Sequence, residues 1–289
     1  MSIKKYKAKN LGNDKYALGE SPFYDSRYNR LSWVDIIDNK FWSMNKDGER
    51  TSFDLGQPIG AAVPAFDSDA MILAAKDGLY RYQAGKAELI YVLNDTFKPY
   101  IRCNDAKADP MGRLWFGSSV ADEEHEAEGD LYRFDGDSVA VMQPETKIAN
   151  GMAWDSECKY MYFADSVDHA IYRYDYDKDS GDISNREVLF NINDGAPDGM
   201  CIDADDNLWV AVWGGNRIEK HSGKNGELLG IVEVPAHNVT SCCFAGAGSN
   251  MLYITTSGND LNGEYDGCLF TCEVDSEGLD PDYVTRLTM

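Results

Sequence analysis

Ten or eleven residues ahead of six similar strand-like runs, the chain carries Glu20, Gly60 to Ala61, Asn104, Asn150, Asp198 and Ser241. Five of these six positions hold a side-chain oxygen, in the contexts GESP, RCND, ANGM, PDGM and VTSC. Two carboxylates and two carboxamides among them suit a hard divalent cation such as Ca2+, Mg2+ or Mn2+, and Zn2+ would also be accepted. Gathered at one point without a cation, the acids would repel and the amides would lack partners. With a cation present, a carbonyl can be polarised and a water made acidic, which is the chemistry of metal-assisted hydrolysis. Asn-Gly and Asp-Gly also make ordinary turns. What points beyond turns is the phase these positions share.

The elements that would position them follow from the runs themselves. LSWVD from Leu31, MILAAK from Met71, LWFGSS from Leu114, YMYFAD from Tyr160, LWVAVW from Leu208 and MLYITT from Met251 recur at steps of 40, 43, 46, 48 and 43 residues. That is the period of a propeller blade. Each run is followed by a further strand, such as LYRFD from Leu131 or IYRYD from Ile171, and preceded by another short strand and a turn. No long segment holds a helical period. The prediction is an all-β chain, a six-bladed β-propeller with four-stranded antiparallel blades around a central channel, forming one domain over residues 1–289. Innermost strands would bring Glu20 through Ser241 together at the channel. The stretch up to Leu11 and the segment from Tyr283 are expected to share one blade and close the ring.

Five ordered motifs carry a resemblance over nearly the whole chain: LGESPFYDSRYNRLSWVDI, RCNDAKADPMGRLWFGS, IANGMAWDSECKYMYFADS, PDGMCIDADDNLWVAVWGG and VTSCCFAGAGSNMLYITTS. The chain resembles the gluconolactonase, regucalcin (senescence marker protein) and luciferin-regenerating enzyme family of six-bladed propellers. The resemblance implies one divalent metal on Glu20, Asn150 and Asp198 with water completing the shell, and substrate contacts from Arg102 and Asn104. It implies hydrolysis of sugar lactones such as aldono-lactones. Three positions depart from the family pattern: Ser21 and Ala106 replace usual glycines, and Gly117 to Ser119 reads GSS where Gly-Thr-Met is common.

A lactone is a cyclic ester, so opening it needs a polarised carbonyl, a water and a base. Asp198 would serve as ligand and base, or orient the water that does; Glu20 would supply charge. Arg102 and Asn104 would fix sugar hydroxyls or the ester oxygen, the alternative for Arg102 being a surface salt bridge. The acidic stretch ADEEHEAEGD, residues 121–130, lies between two strands of the third repeat, as a solvated loop or as a lid. Two other functions stand beside the lactonase: an esterase or phosphotriesterase on the same metal, and a non-catalytic propeller that binds calcium.

Composition narrows the partners. Against 27 basic residues stand 49 acidic ones, a net charge of −22 that repels nucleic acid and anionic membranes. No signal peptide or apolar span is expected. Seven cysteines, two of them the adjacent Cys242 and Cys243, suit free thiols in the cytoplasm better than disulfides. The expected partner is a small lactone, and the expected state a monomer or weak dimer. DYDKDSGDISNRE from Asp175 opens like a calcium loop but has Ser180 at the sharp turn and Arg186 at the bidentate glutamate position, and reads as a turn between blades. His125, His169, His221 and His237 show no HExxH spacing, there is no CxxC pair, and neither a GxSxG elbow nor a phosphate-binding loop occurs.

Overall fold

A computed structural model describes residues 3–122 and 124–287. Six sheets follow one another along the chain, and among the described residues there is no helix. Each sheet is an antiparallel meander running from an inner to an outer strand. The inner strands are Gly19–Asp25, Ile59–Pro64, Ile101–Ala108, Ala149–Trp154, Ala196–Ile202 and Asn238–Phe244, numbered here as blades one to six. Antiparallel meanders arise because strands within a blade are joined by turns of two to six residues, too short for a crossover, the longer exceptions being residues 121–128 and 258–269.

Aspartates hold those turns. Asp109 Oδ1 accepts from the backbone N–H groups of Met111 and Arg113, and Asp203 Oδ1 accepts from those of Asp205 and Asn207. Their second oxygens receive the indole N–H of Trp115 and of Trp209, so the turn acid also satisfies the tryptophan of the strand that follows. Part of the acidic excess is thus structural.

The core lies in six wedges between neighbouring blades. Trp33 fills the wedge between blades six and one, Trp115 that between three and four, and Trp209 that between five and six, all fully buried. Placing the apolar mass between the sheets leaves the axis to backbone and polar side chains. Approach at the axis is close. A Cβ on Gly60 would stand 2.2 Å from the Asn104 carbonyl oxygen, and one on Gly151 would stand 2.5 Å from that of Asp198.

Closure differs from the expectation. Lys9–Asn10 pairs with Phe270–Glu273 to give blade six its outer strand, while Lys4–Lys7 adds a parallel fifth strand beside Leu228–Glu233 on blade five. The C-terminal segment joins neither: Val284 bridges Ala65 of blade two, and residues 279–282 line the channel mouth beneath. The two termini therefore do not share a blade. The Asp175 segment is also not a turn between blades. It is the hairpin joining Ala170–Tyr176 to Ile183–Asn191 within blade four, with Asp177 Oδ1 accepting the N–H groups of Asp179 and Ser180.

Candidate metal and substrate site

Every inner strand is bulged by one residue against its neighbour, at the same phase. The pairing slips between Glu20 and Phe23, Ile59 and Ala61, Cys103 and Ala106, Ala149 and Met152, Pro197 and Met200, and Val239 and Ser241. A bulge bends the strand and re-aims a side chain. Six in phase turn one residue per blade toward the axis, and Glu20, Asn104, Asn150 and Asp198 stand at or beside them. Ser21, where the family favours glycine, has a φ of 50° and so occupies the left-handed region.

In blade six the equivalent residue is Thr240, not Ser241. Thr240 Oγ1 donates to the Gly19 carbonyl at 2.6 Å, tying blade six to blade one. Ser241 lines a different cavity, of about 130 Å3, at the opposite end of the channel. A slip of one residue along a strand exchanges faces, which is why counting placed the serine at the wrong end. Gly60 contributes no side chain.

Glu20, Arg102, Asn104, Asn150 and Asp198 line one cavity of about 410 Å3. Asn150 and Asp198 are 5% exposed and Glu20 8%. Ser166 Oγ donates to the Pro197 carbonyl at 2.7 Å, so toward Asn150 it can only accept, and the Asn150 Nδ2 donates to it at 3.1 Å. The carboxamide must then present its oxygen to the cavity. That Oδ1 and the Asp198 Oδ1 are both buried without a hydrogen-bond partner among the described residues. Burial, followed by the charges of Asp198 and Asp105, pushes Glu20 well above the ordinary carboxylate range; Asp198 is also raised, by burial first and then by Asp105.

Two orphaned oxygens beside a carboxylate held against its ionisation fit a bound cation. Among the described residues no three His, Cys, Asp or Glu side chains form such a group, so this donor set is two carboxylates and one carboxamide. Among the described residues Arg102 has no salt-bridge partner, and its hydrogen bonds are to its own strand. Its Nη1 donates to the Cys103 carbonyl and to Asn104 Oδ1, while Asn104 Nδ2 donates to the Ala149 carbonyl. Burial lowers its affinity for its proton, and the charges of Glu20 and Asp198 oppose that.

Several residues escaped sequence reasoning. Asp105, buried and raised by burial, acts on both site carboxylates and sits in the quoted RCND without having been singled out. Ser166 and His169 line the same cavity from just past the second strand of blade four, and Trp213 from the end of the second strand of blade five. Their signal is positional: Ser166 and His169 stand one and four residues after the run YMYFAD, and Trp213 is the last residue of LWVAVW. Of the acidic stretch 121–130, Glu123 lies outside the described residues and none of the others lines the cavity. His125 instead stacks on Tyr100, and Glu128 accepts from the Tyr100 hydroxyl.

Comparison with known proteins agrees with this architecture. The family model of the SMP-30/Gluconolactonase/LRE-like region matches residues 18–258. A Bacillus subtilis (strain 168) protein provisionally named sugar lactone lactonase YvrE is 34% identical over 275 residues, covering 91% of this chain and 94% of its own. Regucalcin of Gallus gallus is 30% identical and covers 88% of each chain. Among solved structures, a luciferin-regenerating enzyme superposes with a TM-score of 0.91 at 29% identity, covering 97% of this chain and 99% of its own. A match spanning every inner strand, with relatives aligned nearly end to end, establishes that the chain belongs to the SMP-30/gluconolactonase/LRE-like family.

Proposed function

We propose that the chain is a metal-dependent hydrolase that opens sugar lactones. The observation that carries this is the pair of unpartnered oxygens, Asn150 Oδ1 and Asp198 Oδ1, on the floor of a cavity that also holds an arginine. Names among the relatives support the reaction class, a sugar lactone lactonase at 34% identity in particular. A divalent ion on Glu20, Asn150 and Asp198 would supply Lewis acidity to the lactone carbonyl.

The chain's own residues do the rest. The Asp198 carboxylate, serving the ion as donor and the reaction as base, takes the proton of the attacking water as the water oxygen bonds the acyl carbon. The bond from the acyl carbon to the ring oxygen breaks, and the proton passes to that oxygen, giving the open hydroxy acid. Arg102, with Nη1 committed to Cys103 and Asn104, retains Nη2 and Nε to hold a lactone oxygen or hydroxyl. Asn104, fixed at both ends of its amide, keeps that guanidinium in place.

A calcium-binding propeller without catalysis would use the same donors, and regucalcin relatives keep that reading in view. The arginine beside the donor set favours catalysis, because a cation reservoir gains nothing from a guanidinium. We place the protein in the cytoplasm, as a monomer or weak dimer acting on a small molecule. All seven cysteines are unpaired, and no helix of the described residues is long and apolar enough to cross a membrane.

The test is a panel of aldono-lactones, simple esters and a phosphotriester, run on chelated protein with Ca2+, Mg2+, Mn2+ and Zn2+ restored one at a time. Lactones are expected to be turned over fastest with at least one metal. Tight metal binding with no ester opened would favour the non-catalytic propeller.

A further inference from the structure

Above its polar floor the cavity is walled by Leu18, Ile36, Ile148, Val167, Ala196 and Trp213. These six come from blades one, four and five, whereas Arg102 and Asn104 come from blade three. Besides the indole N–H of Trp213, the polar side chains of this collar are, among the described residues, Ser166 and His169. Ser166 is already committed, accepting from Asn150 and donating to the Pro197 carbonyl. His169 Nδ1 faces the carbonyl oxygens of Ile192 and Gly195, at 3.2 and 2.8 Å, so it carries the proton and the ring keeps only Nε2 to offer.

A fully hydroxylated aldono-lactone presents hydroxyls around its whole ring. Each one pressed against Leu18, Ile36 or Val167 loses water and finds no partner. Trp213 alone could take the C–H face of a sugar, but the aliphatic wall beside it offers neither donor nor acceptor. Burying a carbon chain there releases water at no such cost.

We propose that the preferred substrate is an amphipathic lactone, with its polar edge toward Arg102 and Asn104 and an unsubstituted carbon arm against the collar, and that Trp213 and Val167 set this preference. The inference rests on the lactone-hydrolase reading above and, within it, ranks alkyl-armed lactones over the fully hydroxylated sugar lactones.

The experiment uses the full-length chain and two matched series. In the first, kcat/KM is measured for δ-valerolactone, for δ-lactones with alkyl arms of one to five carbons, and for glucono-δ-lactone. In the second, binding of the corresponding δ-lactams, which lack the ester, is followed by calorimetry. Both quantities are expected to rise about fourfold per arm methylene until the collar is filled. In Trp213→Ala that slope should flatten; Trp213 is 37% exposed at the rim, so its removal spares the core. Val167→Ser is a second variant with the same expected loss of slope. If lactams bind more tightly with arm length but no lactone is opened, the hydrolase reading fails and the collar assignment stands. If lactones are opened with no dependence on arm length, if glucono-δ-lactone outpaces the alkyl series tenfold, or if both variants keep the wild-type slope, the assignment is overturned.

Discussion

Ser166 decides which way the Asn150 amide faces. Its single hydroxyl proton goes to the Pro197 carbonyl, so it accepts from Asn150 Nδ2 and leaves Oδ1 to the cavity. Ser166→Ala removes that constraint, and metal affinity measured by calorimetry should fall about 10- to 100-fold while the fold is kept. Asp198→Ala should cost about 10²–10⁴-fold in lactone turnover and resist rescue by added metal, since donor and proton acceptor go together. Glu20, Asn150 and Asp198 were legible in two steps: five repeats carry an oxygen side chain at one phase of a 40- to 48-residue step, and the family resemblance singled these three out as the metal set. Ser166 was not, because its contact with Asn150 crosses 16 residues of chain and its role depends on a bond to the next blade. Asp105 was adjacent to a singled-out residue, yet its reach to Glu20 and Asp198 appears only once three blades meet.

At the scale of the strand, the bulge is the device that makes a site from a repeat. It aims one residue per blade inward, and it requires small residues where inner strands nearly touch. Gly151→Ala would put a Cβ 2.5 Å from the Asp198 carbonyl oxygen and 2.8 Å from the Met200 nitrogen, both backbone atoms. Denaturant unfolding should show a loss of about 1–3 kcal/mol, and metal affinity should fall with it because Asp198 must shift. Strand existence and order were readable from apolar runs and turn acids. The bulges were not, since a register slip is a property of two strands, and without it Ser241 was taken for Thr240.

For the whole molecule, the repeat announced six blades but not how the ring is sealed. Blade six is completed by Lys9–Asn10, and Tyr6 packs near Trp209 with ring centres 6.2 Å apart. Those N-terminal strands are short and charged, with little periodicity to read. The C-terminal segment passes instead under the channel, where burial and then the charges of Asp109 and Asp280 push Asp282 up to about 7, against the pull of Lys107. A carboxylate raised in the folded state binds its proton there more tightly than in the unfolded chain. Its stabilising contribution is therefore full below its unfolded value near 4 and is lost as pH rises through about 7. Glu20 and Asp198 add the same sign when no cation is bound. Thermal unfolding of the chelated protein should thus show Tm falling between about pH 4 and 7, with a shallower fall in Asp282→Asn, and added divalent cation should raise Tm most at the alkaline end. The central claim is that one divalent ion on Glu20, Asn150 and Asp198 is what lactone opening needs. Its most direct test is turnover measured against metal bound per chain, starting from chelated protein. The account predicts activity that rises in proportion to occupancy and saturates at one ion per chain, and that stays at background in Asp198→Ala. Full turnover by the metal-free chain would contradict it.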